Sequence, residues 1–249
     1  MIRYFELEGK TVLVTGVGKG IGFNLLNKLI ARGAFVYGIT RSRKDIKKIG
    51  KNENYKIFLG DVRNLKLIEK IFKQSVKDNR IINGLVNNAG IRQRIKFENI
   101  SYKKLIEVFE INFFSVFRVM QTYFKYLKKR KSRASIVNIG SIVGEIGFND
   151  LSGYASTKGA LKSLTKSFSI EKAKFGIRSN LINPGFIKTS YYKKFKKNKK
   201  LYNWTLSRIP MNRWGDSGEI SNLICFLISD NSSYINGETI NIDGGWLNG

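Results

Sequence analysis

An apolar run, Val12-Leu13-Val14-Thr15, breaks directly into Gly16-Val17-Gly18-Lys19-Gly20-Ile21-Gly22, and a helical pattern follows over residues 23–32. Alternate glycines let a backbone approach a ligand closely, and the N-terminus of the next helix favours negative charge. Placed between a first strand and a first helix, this turn reads as a pyrophosphate cradle. Taken alone, the same glycines are also compatible with a plain tight turn.

The alternation continues along the chain. Strand-like runs occur at residues 35–40, 55–59, 84–87, 135–139, 180–182 and 239–242. Helical segments occur at residues 65–77, from Tyr102 through Val119 and onward, and around Tyr154. No repeat, linker or composition break divides the chain. The pattern predicts one α/β domain over residues 1–249, a Rossmann-like doubly wound parallel sheet of about seven strands with helices on both faces. Its ligand crevice is expected beyond the carboxyl ends of the strands.

Composition narrows the chemistry. The chain has no His, which removes His-based triads and His-ligated metals, and no metal site is expected. Its one Cys, Cys225, lies in an apolar run, reads as a buried small hydrophobe and fits the reducing cytoplasm. No apolar run is long enough to span a membrane, and Met1 to Glu6 contain no signal-peptide core. The formal net charge of +27 permits attraction to nucleic acid. The lysines are spread along the chain, however, with dense runs only at Lys128 to Lys131 and Lys193 to Lys200. Abundant Lys, Asn, Ile and Phe with scarce Pro read as codon bias rather than as a selected basic face, so nucleic acid is not the expected partner.

Acid-base chemistry is then left to Tyr, Lys or carboxylates. Tyr154 and Lys158 are four apart in Tyr154-Ala155-Ser156-Thr157-Lys158, with Ser141 thirteen residues upstream. A helix places i and i+4 on one face. An ammonium beside a phenol, helped by a positive nicotinamide ring, is expected to draw the phenol down from about 10 toward neutrality. Such a phenol can serve as a general acid or base. A surface Tyr and a solvated Lys on an amphipathic helix would give the same spacing.

The second strand ends in Ile39-Thr40-Arg41-Ser42-Arg43, where NAD-selecting sites carry an acid. Arg41 there, with Lys19 in the glycine turn, suits a 2′-phosphate. Two cations and no acid predict NADP(H) over NAD(H).

With these motifs in order, the chain resembles the short-chain dehydrogenase/reductase family, in its branch of about 250 residues. The resemblance runs nearly end to end. It covers Thr15 to Gly22, Asp61-Val62, Asn87-Asn88-Ala89-Gly90, Asn112, Ser141, Tyr154, Lys158, Pro184-Gly185-Phe186-Ile187-Lys188-Thr189 and Asp243-Gly244-Gly245. It implies that Tyr154 exchanges the proton with the substrate oxygen and that Ser141 hydrogen-bonds that oxygen. It also implies that Lys158 lowers the Tyr154 pKa and holds the nicotinamide ribose, and that Asn112 holds a water relaying protons from Lys158. Gly16, Gly18, Lys19, Gly20, Ile21 and Gly22 would cradle the phosphates. Asp61 and Val62 would flank the adenine, and Asn88, Ala89 and Gly90 would line the cleft. Pro184, Gly185, Ile187 and Thr189 would border the nicotinamide. A homotetramer is implied as well, joined partly through the long helices that begin near Tyr102 and Tyr154.

Specificity is expected from residues 190–215, a mobile lid with Trp204, Arg208 and Trp214. The Lys-rich part of that lid also reads as a solvated helix face. Asn88 to Arg94, Arg208 to Gly215 and Asp243 to Leu247 resemble gluconate 5-dehydrogenases and 2-deoxygluconate 3-dehydrogenases. Arg92 or Arg94 is expected to hold a substrate carboxylate; either reads equally as an exposed loop cation. Two alternatives stand beside the sugar-acid reading. One is a 3-oxoacyl-carrier-protein reductase whose acidic partner docks at Lys128 to Lys131. The other is a non-catalytic nucleotide-sensing or nucleic-acid-binding module.

Overall fold

The computed structural model describes residues 7–189 and 192–249. Residues 1–6 and the first two residues of the expected lid, Ser190 and Tyr191, lie outside the described residues. The strands are β1 (Thr11–Thr15), β2 (Phe35–Thr40), β3 (Tyr55–Leu59), β4 (Gly84–Asn87), β5 (Ala134–Ile139), β6 (Ile177–Pro184), β7 (Ile187–Lys188), β8 (Gly215–Asp216) and β9 (Thr239–Ile242). Seven of them form one parallel sheet in the order β3-β2-β1-β4-β5-β6-β9, while β7 and β8 pair separately. The winding reverses between β1 and β4, where a doubly wound sheet opens its crevice.

The helices are α1 (Gly20–Ile30), α2 (Arg43–Ile49), α3 (Leu65–Lys77), α4 (Tyr102–Phe109), α5 (Ser115–Arg130), α6 (Ser152–Lys172), α7 (Tyr192–Lys196), α8 (Lys199–Arg208) and α9 (Ser217–Ile228). Alternate strand residues face opposite sides of the sheet. Leu13, Tyr37, Leu85 and Ile136 pack with Ile68 and Phe72 of α3, Met120 and Tyr123 of α5, and Leu161 of α6. Val12, Val14, Val36, Val86 and Val137 pack on the other side with Leu25 and Leu29 of α1 and Ile224 and Cys225 of α9. The strands are therefore apolar on both faces, as a covered parallel sheet requires. Cys225 is buried, as expected.

Local signals set the helix ends. Asn64 accepts from Leu67 N at 3.3 Å and starts α3. Asp216 and Glu219 form a capping box that starts α9. Glu219 is also held by Arg213, so its carboxyl falls to about 2. The apolar run at 223–228, read from the sequence only as buried, is the second half of this helix. The first helix begins at Gly20 rather than at Phe23, so its first turn lies inside the glycine motif. The long helix after Tyr102 runs on to Arg130 through a π-turn at Glu110–Phe114. Among the described residues no helix is long and apolar enough to cross a membrane.

Candidate active site

The glycine turn closes against the end of β4. Gly16 has φ of +76°, and a Cβ there would stand 3.0 Å from Ala89 Cα. A Cβ on Gly22 would collide with the Gly16 carbonyl oxygen, so α1 can start this close only with glycine there. Asn88 Nδ2 donates to the Thr15 and Gly16 carbonyls at 3.0 Å each. Thr15 Oγ1 accepts from Asn88 N and Ala89 N, also at 3.0 Å. These bonds fix the turn beside β4 and leave the first N–H groups of α1 without a side-chain cap. Uncapped N–H groups and the helix dipole make an anion site.

In front of that helix end lies a cleft of about 490 Å³. Gly16, Gly18, Lys19, Gly20, Ile21, Arg41, Asp61, Val62, Asn88, Ala89, Gly90 and Thr189 line it. Gly22, Pro184, Gly185 and Ile187 are not among the lining residues. Gly22 serves helix packing, and Gly185 lies against Asp243, whose Cα would be 2.7 Å from an added Cβ.

Two features of the cleft differ from the sequence reading. Arg41 is not alone: it pairs with Asp61 at 3.7 Å, and Asp61 is gripped more tightly by Arg63 at 3.0 Å. The end of β2 also does have an acid near it. Asp45, five residues beyond Thr40, lines the cleft together with Thr40 and Ser42. The turn into α2 folds it back, with Thr40 Oγ1 donating to Asp45 Oδ2 at 2.9 Å. A scan of the strand end alone could not find it. The Ser42-x-x-Asp45 cap pattern was the available signal, since Ser42 Oγ accepts from Asp45 N at 3.3 Å.

Ser141, Tyr154 and Lys158 come together beyond the end of β5. Ser141 follows that strand, and its N–H donates to Asn183 Oδ1 at 3.0 Å. Tyr154 and Lys158 share one face of α6, with the ammonium 5.7 Å from the phenol ring centre. Lys158 is 7% exposed, and its Nζ donates to the Ile139 carbonyl at 2.7 Å. Burial pulls its pKa down from 10.5 to about 8. Tyr154 departs from expectation. Burial pushes its phenol above the ordinary value, while a hydrogen bond with Ser141 and the positive charge of Arg92 pull it back. Lys158 spends a hydrogen bond on Ile139, and the expected lowering by Lys158 is not what governs the phenol here.

Asn112 sits in the π-turn and is 1% exposed. π-Turns within helices recur at functional sites. Its Oδ1 accepts from Ile91 N and its Nδ2 donates to Ile91 O, both at 2.9 Å. Asn112 therefore pins the loop after β4. That loop joins two cavities, with Asn88 to Gly90 on the cleft and Arg92 and Arg94 on a second space of about 610 Å³.

Aromatic rings wall the second cavity. Phe148, Phe186, Phe195, Trp204 and Trp246 line it, with Lys200 and Arg208 at its α8 side. Tyr154 packs against the same aromatic cluster. Arg94 pairs with Asp150 at 3.5 Å. Trp204 lines the cavity and stacks edge-on to Trp246 at 5.6 Å. Trp214 does not line it. It is 2% exposed, donates to Thr205 Oγ1 at 2.8 Å and holds the lid helices together. Trp246 and Phe148 were missed as lining residues, because their aromatic character alone does not distinguish a cavity wall from core. The Lys128 to Lys131 cluster falls far from all this. Lys128 and Lys131 share a groove with Ala134 and Ile177, the first residues of β5 and β6, at the opposite end of the strands.

A family model described as enoyl-(acyl carrier protein) reductase matches residues 16–247. The chain is 36% identical to a 3-oxoacyl-(acyl-carrier-protein) reductase of Buchnera aphidicola subsp. Schizaphis graminum, over 96% of this chain and 98% of the relative. It is also 36% identical to a 2-dehydro-3-deoxy-D-gluconate 5-dehydrogenase of Bacillus subtilis, over 98% of this chain and 96% of the relative. A crystal structure of a Burkholderia cenocepacia gluconate 5-dehydrogenase in complex with NADP and tartrate superposes with a TM-score of 0.91, at 28% identity over 98% of both chains. The chain belongs to the short-chain dehydrogenase/reductase family and is an oxidoreductase acting on hydroxyl groups.

Proposed function

We propose that this enzyme interconverts a secondary alcohol and a ketone with a nicotinamide dinucleotide, on a small sugar acid or polyol such as gluconate and 5-ketogluconate, the sugar acid being favoured. The observation that carries the substrate reading is Arg92. It lines the aromatic cavity, and it is close enough to Tyr154 for its charge to act on the phenol. A guanidinium there suits bidentate capture of a carboxylate. Arg94 lines the same cavity and pairs with Asp150 at 3.5 Å.

The residues present fit a dinucleotide. The uncapped start of α1 takes the pyrophosphate, Asp61 and Val62 border the adenine, and Thr189 borders the nicotinamide. When bound, the nicotinamide supplies or accepts the hydride. Tyr154 exchanges the proton with the substrate oxygen, and Ser141 holds that oxygen by a hydrogen bond. Lys158 holds the nicotinamide ribose and passes protons toward solvent beside Asn112, which also fixes the loop that carries Arg92.

NADP(H) is favoured over NAD(H) on the charges of Arg41 and Lys19. Arg41→Asp is expected to weaken NADPH binding at least about tenfold more than NADH binding, the scale of one lost charge-assisted hydrogen bond. Fluorescence titration measures both constants, and an equal loss of the two would remove the 2′-phosphate assignment.

A second reading, reduction of a 3-oxoacyl thioester, is supported by the Buchnera relative at equal identity. The lysines proposed to dock its acidic carrier lie at the amino ends of β5 and β6, away from the cleft, which weighs against it. NADPH oxidation with 5-ketogluconate and with an acetoacetyl thioester, run side by side, separates the two. The sugar acid is expected to give the higher kcat/KM by at least about tenfold, the scale of one polar contact to Arg92. The reverse order would favour the thioester.

The homotetramer belongs to the same proposal. Tyr102 of α4 and Phe117 of α5 are 78% and 44% exposed, and exposed aromatic faces of this kind suit subunit contacts. The cytoplasm remains the proposed compartment, in keeping with one buried, unpaired Cys225.

A further inference from the structure

The most unexpected group in the nucleotide cleft is the Asp45 carboxylate. Its side chain lies on Gly18, where any Cβ would overlap Asp45 Oδ2 and stand 2.5 Å from Asp45 Cγ. Gly18 thus makes the room that Asp45 occupies. Thr40 Oγ1 donates to Oδ2 at 2.9 Å, while Oδ1 accepts no hydrogen bond from any described residue. Lys19, Arg41, Arg43 and Lys44 are all near in sequence or along the cleft, yet none of them forms an ion pair with Asp45. Arg41 turns to Asp61 instead. The cleft therefore holds an unneutralised carboxylate with lone pairs to spare, in the same wall as the cations that favour a phosphate.

We infer that Asp45 is a cofactor-specificity residue: it accepts a hydrogen bond from an adenosine ribose hydroxyl and repels a 2′-phosphate, so that the site admits NAD(H) as well as NADP(H). The inference rests on the nicotinamide reading above. A carboxylate accepts from a ribose diol and can only repel a phosphate, whereas Arg and Lys do the opposite. Arg41 and Lys19 set the preference, and Asp45 limits its size. Gly18 and Asp45 act as one unit, because the carboxylate has its place only while position 18 lacks a side chain.

The test uses the full chain and direct binding, read from quenching of tryptophan fluorescence by NADH and by NADPH without substrate. Asp45→Asn keeps the size of the side chain and an oxygen to accept from Thr40. It is expected to weaken NADH, tighten NADPH and so raise the ratio of the two constants at least about tenfold, as expected for a charged hydrogen bond. Gly18→Ala is expected to shift the ratio in the same direction by displacing the carboxylate, and to have no effect on the ratio when added to Asp45→Ala. A wild-type chain that binds both nucleotides, with a ratio unchanged in Asp45→Asn, would overturn the role of Asp45 and leave the nicotinamide reading intact. A wild-type chain that binds neither nucleotide would overturn that reading and this inference together.

Discussion

Tyr154→Phe is expected to lower turnover at least about 100-fold while leaving nucleotide affinity within about twofold, since it removes one general acid-base group and little else. Phe keeps the ring that packs against the Ile142, Leu151 and Trp246 cluster, so the fold loses no apolar contact. What disappears is the hydroxyl and its hydrogen bond with Ser141. Burial holds this phenol above its ordinary value in the free chain, which keeps it protonated at neutral pH and ready to donate to a ketone oxygen. Ser141 and Arg92 oppose the burial, so both tune the proton. Steady-state kinetics together with nucleotide titration checks the split. Turnover within tenfold of the parent chain would mean that some other group handles the proton.

How far the sequence revealed this site differs between its parts. Glycines at Gly16 and Gly22 have local causes, a positive φ and a close helix approach, so their spacing could be read directly. The parallel, doubly wound sheet was legible in outline because each strand carries apolar residues for both faces and each crossover carries a helix. Asp45 escaped because its place depends on the sharp turn from β2 into α2, which returns a helical residue to the strand end. The π-turn at Glu110–Phe114 has no composition of its own, so Asn112 was named without the loop it pins. The direction of the Tyr154 shift depends on how much water is excluded around the ring, and no i, i+4 spacing encodes that. Trp204 and Trp214 look alike in sequence, yet one walls the cavity and the other holds the lid core.

Lys158→Met is expected to abolish most turnover and yet make the free protein more stable. Lys158 is a buried cation whose pKa falls from 10.5 to about 8 because burial penalises its charge. At about 1.4 kcal/mol per pKa unit, folding with the ammonium charged costs roughly 3 kcal/mol. Met has similar length and no charge to desolvate. Against that gain stands the hydrogen bond to the Ile139 carbonyl, whose loss costs about 1–3 kcal/mol. The balance favours the variant by up to about 2 kcal/mol at neutral pH, or up to several degrees at about 2–4 °C per kcal/mol for a chain of this size. The pH dependence follows from the lowered value. Below pH 8 the amine is charged in both folded and unfolded chains, so the parent carries the full penalty. Between about 8 and 10.5 the folded chain has released its proton while the unfolded chain still holds one, so the parent gains stability as pH rises. The advantage of Lys158→Met is therefore complete at pH 7 and shrinks across that window. Thermal unfolding of both chains at pH 7 and pH 10 measures it. A variant less stable than the parent at pH 7 would show that the Ile139 hydrogen bond outweighs the buried charge, and that Lys158 serves the fold as much as the chemistry.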